Sequence, residues 1–293
     1  MKIKDILSKN QVTFSCEIFP PKNYMNMDKT KAVADEICTL NPDFMSVTYG
    51  AGGGNAKQNV EIAQHINEKG CTALAHLTCV SSTKEEVSEA IDKLKSCGIE
   101  NVFALRGDIP EGMEDKPREY KYASELVNEI KRQGDFCIGA ACYPEGHVEC
   151  ESMEQDLINL KNKVDCGVDF LTTQMFFDNT AFYSFMFRAL KLNIDVPIIA
   201  GIMPMTNAKQ IVRSCQLSGA TLPTEFRRIA DKFGYNPEAM KQAGIAYATE
   251  QIIDLIANGV KGIHLYTMNK PDVTASIMSN LSYIVGADRV CMQ

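Results

Sequence analysis

The stretch Thr13-Phe14-Ser15-Cys16-Glu17-Ile18-Phe19-Pro20-Pro21 decides how the rest of the chain is read. Phe14, Cys16 and Ile18 fall on one face and Thr13, Ser15 and Glu17 on the other, which is the period of a β-strand. The two prolines end the strand, because neither can donate to a ladder. A carboxylate near the C-terminal end of a strand, with Thr13 and Ser15 beside it on the same face, predicts a face that looks into a barrel or cleft.

Working outward, short apolar runs recur at 13–20, 44–50, 71–78, 101–108, 136–144, 170–177, 197–205 and 261–268. Helical patterns fall between and after them, at 28–40, 57–69, 84–97, 119–133, 152–166, 179–192, 207–217, 237–257 and 272–285. Eight β-then-α units predict an α/β fold of the TIM (β/α)8 barrel type, not an open doubly wound sheet. The eighth strand comes late, after an inserted segment around 221–236, so a short helical insertion is expected before it. Residues 1–293 read as a single barrel domain. Ser152 followed by Gln155 has the pattern of a capping box, and Met153, Leu157, Leu160 and Val164 form an apolar stripe behind it. Asn236-Pro237 reads as the start of a helix and Asn258-Gly259 as its end.

Composition narrows the function classes. At 45% hydrophobic residues the chain can bury a large core. A net charge of −7 argues against a general nucleic-acid binder, while leaving room for a local basic site that holds a phosphate. The four histidines lie singly, without metal-type spacing, and no metal is expected. The eleven cysteines contain no CxxC pair; Cys16, Cys38, Cys79, Cys97 and Cys142 sit in apolar patterns and read as reduced core residues of a cytoplasmic protein. The start MKIKDILSKN is too polar for a signal peptide, and no apolar run is long enough to span a membrane.

In a TIM barrel the chemistry sits at the C-terminal ends of the strands, so what each strand ends with is the test. After Glu17 on the first come Thr48-Tyr49 and the loop Gly50-Ala-Gly-Gly-Gly-Asn55, then His76-Leu-Thr78, then Arg106-Gly-Asp108. The fifth strand ends Tyr143-Pro-Glu-Gly-His147, the sixth carries Thr172 and Gln174 on one face, and the eighth ends His264-Leu-Tyr-Thr-Met-Asn-Lys270. Each signal has a purely structural alternative. Glu17 could pair with an interior lysine or arginine, Arg106 and Asp108 could close a salt bridge of their own, and His76 could be a hydrogen-bonded core residue. The glycine loop fits a tight βα turn and not a dinucleotide fingerprint, since the third glycine of GxGxxG would fall on Asn55. Asp156, Asn159 and Lys163 share one side of a helix, which is ordinarily a solvated face.

In combination, these stretches resemble the methylenetetrahydrofolate reductase family of flavin-dependent barrels. The matching motifs are Ser15-Cys-Glu-Ile-Phe-Pro-Pro21, Val47-Thr-Tyr-Gly-Ala51, His76-Leu-Thr-Cys79, Ala104-Leu-Arg-Gly-Asp-Ile-Pro110, Tyr143-Pro-Glu-Gly-His147, Thr173-Gln-Met-Phe-Phe-Asp178 and His264-Leu-Tyr-Thr-Met-Asn269, in the family's order. The chain looks like the short bacterial form, without the regulatory C-terminal domain. The resemblance implies a ping-pong hydride relay from NADH or NADPH through FAD to methylenetetrahydrofolate, in one-carbon and methionine metabolism, by a homo-oligomer.

It also implies roles. Glu17 matches the family's general acid and Asp108 its aspartate beside the flavin. Gln174 matches an amide that touches folate and nicotinamide in turn, and Thr48 a nicotinamide contact. For FAD, the strand-end positions carried over are His76, Arg106, Gly107 and Asp108, with Tyr122 and Ala123 further on. Tyr143, His147, Asp156, Asn159 and Lys163 complete that set, with Lys163 as partner of the diphosphate and Arg106 supplying a planar fork. Gln210 aligns with a further folate contact. Two positions depart from the pattern: Asn162 stands where a second basic residue is common, and Lys270 where an arginine expected to meet substrate is usual. A pterin-binding methyltransferase on the same barrel, or a non-catalytic flavin- or folate-binding barrel, are the competing readings.

Overall fold

The chain was analysed as a computed structural model that describes all residues except 10, 22–23, 50–55, 110–111, 113–116 and 286–293. The glycine loop after the second strand therefore lies outside the described residues. In chain order the elements are α1 (Ile3–Leu7), β1 (Thr13–Ile18), α2 (Met27–Cys38), β2 (Phe44–Val47), α3 (Ala56–Glu68), β3 (Thr72–Thr78), α4 (Lys84–Ser96), β4 (Asn101–Leu105) and α5 (Ala123–Gln133). There follow β5 (Cys137–Cys142), α6 (Met153–Asp165), β6 (Phe170–Thr173), α7 (Asn179–Lys191), β7 (Ile198–Ile202), α8 (Ala208–Ser218), α9 (Thr224–Phe233), α10 (Pro237–Ala257), β8 (Gly262–Tyr266), α11 (Pro271–Asn280) and α12 (Ser282–Val285). The strands close into a parallel barrel in sequence order, β1 pairing with β2 on one side and β8 on the other, which is the expected (β/α)8 architecture.

The alternation in β1 sorts its residues as the sequence predicts. Phe14, Cys16 and Ile18 join the outer core between strands and helices, with Ile91, Leu126 and Ile252 among its members. The inward face is apolar at its base and polar at its top. Phe44, Leu74, Phe103, Phe170 and Ile199 fill the base, and Ile3 and Ile6 of α1 plug it from below. A side chain at Gly139 would meet the Phe170 ring at 2.5 Å and the Phe103 ring at 2.7 Å, so the barrel floor closes only around a glycine there. Asn101 anchors the plug: it accepts from the Ile3 N–H (2.8 Å) and donates to the carbonyls of Met1 (3.0 Å) and Ala73 (3.1 Å).

The structure corrects the sequence reading in several places. Helix α1 is additional; a five-residue helix carries too little periodicity to stand out. The inserted segment is helical as expected: it contains α9, whose Phe226 stacks on Phe177 (centroids 5.6 Å apart) over a satellite core with Ile211 and Met240. The helix expected from 119 begins at Ala123, because Tyr122 is extended and Glu125 caps the turn by accepting from its N–H (3.0 Å). Only half of the capping box at Ser152 forms: Ser152 Oγ accepts from the Gln155 N–H (3.1 Å), while the Gln155 side chain turns to Asn159 (3.1 Å). Behind it Leu157, Leu160 and Val164 are buried and Met153 only half so. Asn236 caps α10 as expected, accepting from the N–H groups of Glu238 and Ala239 (3.1 and 3.2 Å). No described helix is long and apolar enough to cross a membrane.

Candidate active site

Glu17 lies on the inner face of β1, 6% exposed, where the barrel turns from apolar to polar. Its partners are not the lysine or arginine considered above but imidazoles: Oε2 is 3.6 Å from His76 Nε2 on β3 and 3.8 Å from His264 Nε2 on β8, and Ser46 Oγ of β2 donates to it at 3.5 Å. His76 also packs against the Phe103 ring, with centroids 4.8 Å apart. Burial pushes His76 down to about 4, against the opposing pull of Glu17 and with a small push from His264, so the ring is neutral near pH 7. Ser15 Oγ donates to the Ile263 carbonyl (3.2 Å) and lies 2.8 Å from His264 Nδ1. A hydroxyl that has spent its proton can still accept, so this arrangement fits an Nδ1–H of His264 donating to Ser15.

Above Glu17 opens a cleft of about 360 Å³. It is walled by Thr48 and Tyr49 after β2, His76, the Arg106–Asp108 turn after β4, Tyr143 and His147 after β5, Thr172 of β6 and Gln174 just after it. Met203 and Tyr266 complete it. The Tyr266 hydroxyl donates to the Thr173 carbonyl (2.6 Å), fixing the ring across the mouth; burial pushes its pKa well up. Tyr143 is likewise pushed up by burial, to about 12, and its ring meets that of His147 edge-on. A second cavity of about 320 Å³ lies beyond Arg106 and is lined by Arg118, Lys121 and Tyr122. Arg106 lines both.

The Arg106-Gly-Asp108 turn is not a self-contained ion pair. The Arg106 guanidinium forks onto Glu149, with Nη2 to Oε1 at 2.9 Å and Nη1 to Oε2 closing the pair. Asp108 is left exposed at the rim. Gly107 has φ +83, and a Cβ there would stand 2.9 Å from Thr78 Cβ, so the backbone approaches the β3 end as only glycine allows.

Of the α6 residues, two turn inward. Asp156 Oδ2 accepts from the His147 N–H (3.3 Å), and Lys163 Nζ donates to the Ala141 carbonyl (2.6 Å). Burial raises the Asp156 pKa and lowers that of Lys163, each partly offset by the other's charge. Asn159 stays on the exposed side, hydrogen-bonded to Gln155. Tyr122, 64% exposed, precedes Ala123 at the start of α5 beside the second cavity. Gln210 is exposed on α8, outside the cleft lining, and Lys270 donates to Thr206 Oγ1 (2.9 Å) across the β7 and β8 loops. Sequence reasoning did not single out Tyr266, Glu149 or Thr267, although Tyr266 and Thr267 sit inside a quoted motif; what they touch depends on cross-barrel register. Among the described residues no cluster of His, Cys, Asp or Glu is arranged to hold a metal ion.

A closed parallel barrel with a buried acid, imidazoles, an amide and a carboxylate gathered at its C-terminal mouth is a TIM-barrel enzyme by fold and by site. Comparison with known proteins makes this specific. The sequence model of the family described as methylenetetrahydrofolate reductase matches residues 2–282. The chain is 35% identical to the 5,10-methylenetetrahydrofolate reductase of Escherichia coli K12 and 34% to that of Pectobacterium carotovorum, covering 93% of this chain and 92% and 91% of theirs. It is also 35% identical to methylenetetrahydrofolate reductase (NADH) 1 of Arabidopsis thaliana, over 97% of this chain but 50% of that protein, so it spans about half the length of the plant relative. The chain belongs to the methylenetetrahydrofolate reductase family, oxidoreductases that act on a CH–NH group. A solved Clostridium thermocellum protein, described as binding two copies of 5-methyl-5,6,7,8-tetrahydrofolic acid, shares the fold with a TM-score of 0.69 at 15% identity, covering 97% of this chain and 100% of that one.

Proposed function

We propose that the chain reduces 5,10-methylenetetrahydrofolate to 5-methyltetrahydrofolate in two half-reactions, with NADH or NADPH as donor and FAD as carrier. Bound flavin would take a hydride from the nicotinamide and pass it to the one-carbon unit of the folate, both partners using one face in turn.

The residues present fit such a cofactor. Lys163 is a half-buried ammonium hydrogen-bonded to a backbone carbonyl, and burial disfavours its charge until an anion such as a diphosphate neutralises it. Arg106 stands between two cavities, each within the size range of a small-molecule site, as an elongated dinucleotide requires. Gly107 lines the cleft with its backbone pressed against the end of β3, where a Cβ would meet Thr78.

The chain's own part in the chemistry is protonation and placement. The methylene bridge must open before a hydride can add: a C–N bond breaks, its electron pair stays on nitrogen, and Glu17 supplies the proton that nitrogen keeps. The hydride then completes the methyl group. Asp108 at the cleft rim favours the cationic iminium formed by opening. Gln174 offers donors and an acceptor to a pterin edge, and Thr48 lies on the opposite wall.

The observation that carries this reading is Glu17, buried at the base of a cleft that also holds Gln174 and Asp108, with a neutral imidazole as neighbour. Anaerobic stopped-flow absorbance of the flavin band tests it. Reduced nicotinamide should bleach the band and methylenetetrahydrofolate restore it; Glu17→Gln should bleach normally and recover slower by roughly 10²–10⁴. Equal recovery in both proteins would remove Glu17 from the acid role, and failure to retain FAD would favour a methyltransferase or binding barrel.

A further inference from the structure

A proton donor must be aimed as well as buried, and at Glu17 the β-ladder runs out. Pairing of β1 with β8 ends at Glu17 opposite Tyr266, and pairing with β2 at Ile18 opposite Val47. The Thr48 N–H to Ile18 carbonyl bond (3.0 Å) is the last backbone contact on the β2 side. Phe19 then leads into Pro20 and Pro21, which have no N–H to give.

Side chains from the loop after β8 take over. Thr267, 2% exposed, donates its hydroxyl to the Glu17 carbonyl (2.6 Å) and accepts the Asn269 N–H (3.2 Å). The Asn269 amide brackets the next free peptide groups: Oδ1 accepts from the Phe19 N–H (2.8 Å) and Nδ2 donates to the Phe19 carbonyl (3.0 Å). Met268 and Asn269 hold φ of +52 and +55, a left-handed pair that non-glycine residues adopt only when the surroundings enforce it. The twist is what turns the Asn269 side chain back onto β1. Lys270, bonded to Thr206, moors the far end of the loop to the segment after β7.

We infer that Thr267 and Asn269 are positioning residues for the acid, continuing the β1–β8 ladder in side-chain form past the point where the prolines end it. The inference rests on the proposed role of Glu17. Neither residue reaches the reacting atoms; both act through the backbone that carries the carboxyl.

The test separates the two half-reactions in flavin-loaded protein. Thr267→Val replaces a hydroxyl by a methyl of equal size, and Asn269→Asp keeps the acceptor but loses the donor. Each should slow folate-dependent recovery of the flavin band about tenfold while leaving nicotinamide-dependent bleaching within about twofold, and Thr267→Ser should restore recovery. A purely structural role would slow both half-reactions together, lower the melting temperature in step, and leave Thr267→Ser no better than Thr267→Val; that result overturns the inference, as does recovery unchanged in both variants. Glu17→Gln is measured alongside. If it recovers at the wild-type rate, the acid assignment itself has failed and the positioning role falls with it. If it is slow while the loop variants are not, only the positioning role is lost.

Discussion

Lowering the pH should destabilise the barrel through His76, and the size of the effect follows from its burial. A free imidazole protonates near 6.5, whereas this one, 7% exposed and packed against Phe103, is pushed down by burial to about 4. Between those values the unfolded chain binds a proton that the folded one refuses, so stability is highest above about pH 6.5 and is lost as pH falls toward 4. Integrated from pH 7 to pH 5, the loss is about 2 kcal/mol. His76→Gln removes this titration and leaves the surface carboxylates as they are. Urea unfolding of the flavin-free proteins at a series of pH values isolates the contribution as the difference between two curves. The wild type should lose about 2 kcal/mol more than the variant between pH 7 and pH 5, with close to one extra proton taken up on unfolding near pH 5. Parallel curves would mean that the ring takes up its proton as readily folded as unfolded, and the account of His76 as a group whose charging burial opposes would go with it.

Other substitutions probe the rest of the framework. Lys163→Met removes the half-buried cation bonded to the carbonyl of Ala141, a residue of the cleft lining, and should weaken flavin binding roughly 10- to 100-fold, the range of a lost charge-assisted hydrogen bond, read by fluorescence titration; unchanged affinity would take Lys163 out of the cofactor site. Asn101→Ala strands the Ile3 N–H and the Met1 and Ala73 carbonyls beneath the barrel. It should cost on the order of 2 kcal/mol and expose the N-terminal helix to limited proteolysis; an intact N-terminus and unchanged stability would refute the plug. Glu149→Gln weakens a partly exposed ion pair worth at most about 1 kcal/mol, so flavin affinity should rise by no more than about fivefold as Arg106 is released. A fall instead would show that Glu149 holds Arg106 in its binding posture.

What could be read from the sequence and what could not divide along one physical line. Local patterns located all eight strands, because alternation and proline or glycine stops are properties of a few adjacent residues. They also placed Glu17, His76, Asp108, Tyr143 and Gln174 at the mouth, because each sits at a strand end. The apolar runs extend past the strands at their C-termini, as at 170–177, where β6 ends at Thr173 and the apolar Met175, Phe176 and Phe177 are buried outside the ladder. Partners were illegible. That Glu17 meets His76 and His264, and that Arg106 meets Glu149 and not Asp108, is settled by register and by which loops cross, neither of which has a local signature.

The difference between the ion pair considered as the structural alternative for Glu17 and the partners observed bears on the chemistry. A guanidinium at about 4 Å in a site of effective dielectric near 20 would favour the carboxylate by roughly 4 kcal/mol. That would make a good structural ion pair and a poor proton donor. An imidazole kept neutral by its own burial exerts no such hold, yet fills the same space and still offers a polar edge. His76 is therefore better understood through what it withholds than through any proton it moves, and the apolar ring of Phe103 beside it belongs to the same device. Replacing Phe103 with a polar residue would ease the charging of His76 and bring a cation against the Glu17 carboxyl. The folate half-reaction would then slow most at low pH, where the eased imidazole is charged, the reverse of what a general acid acting alone would give.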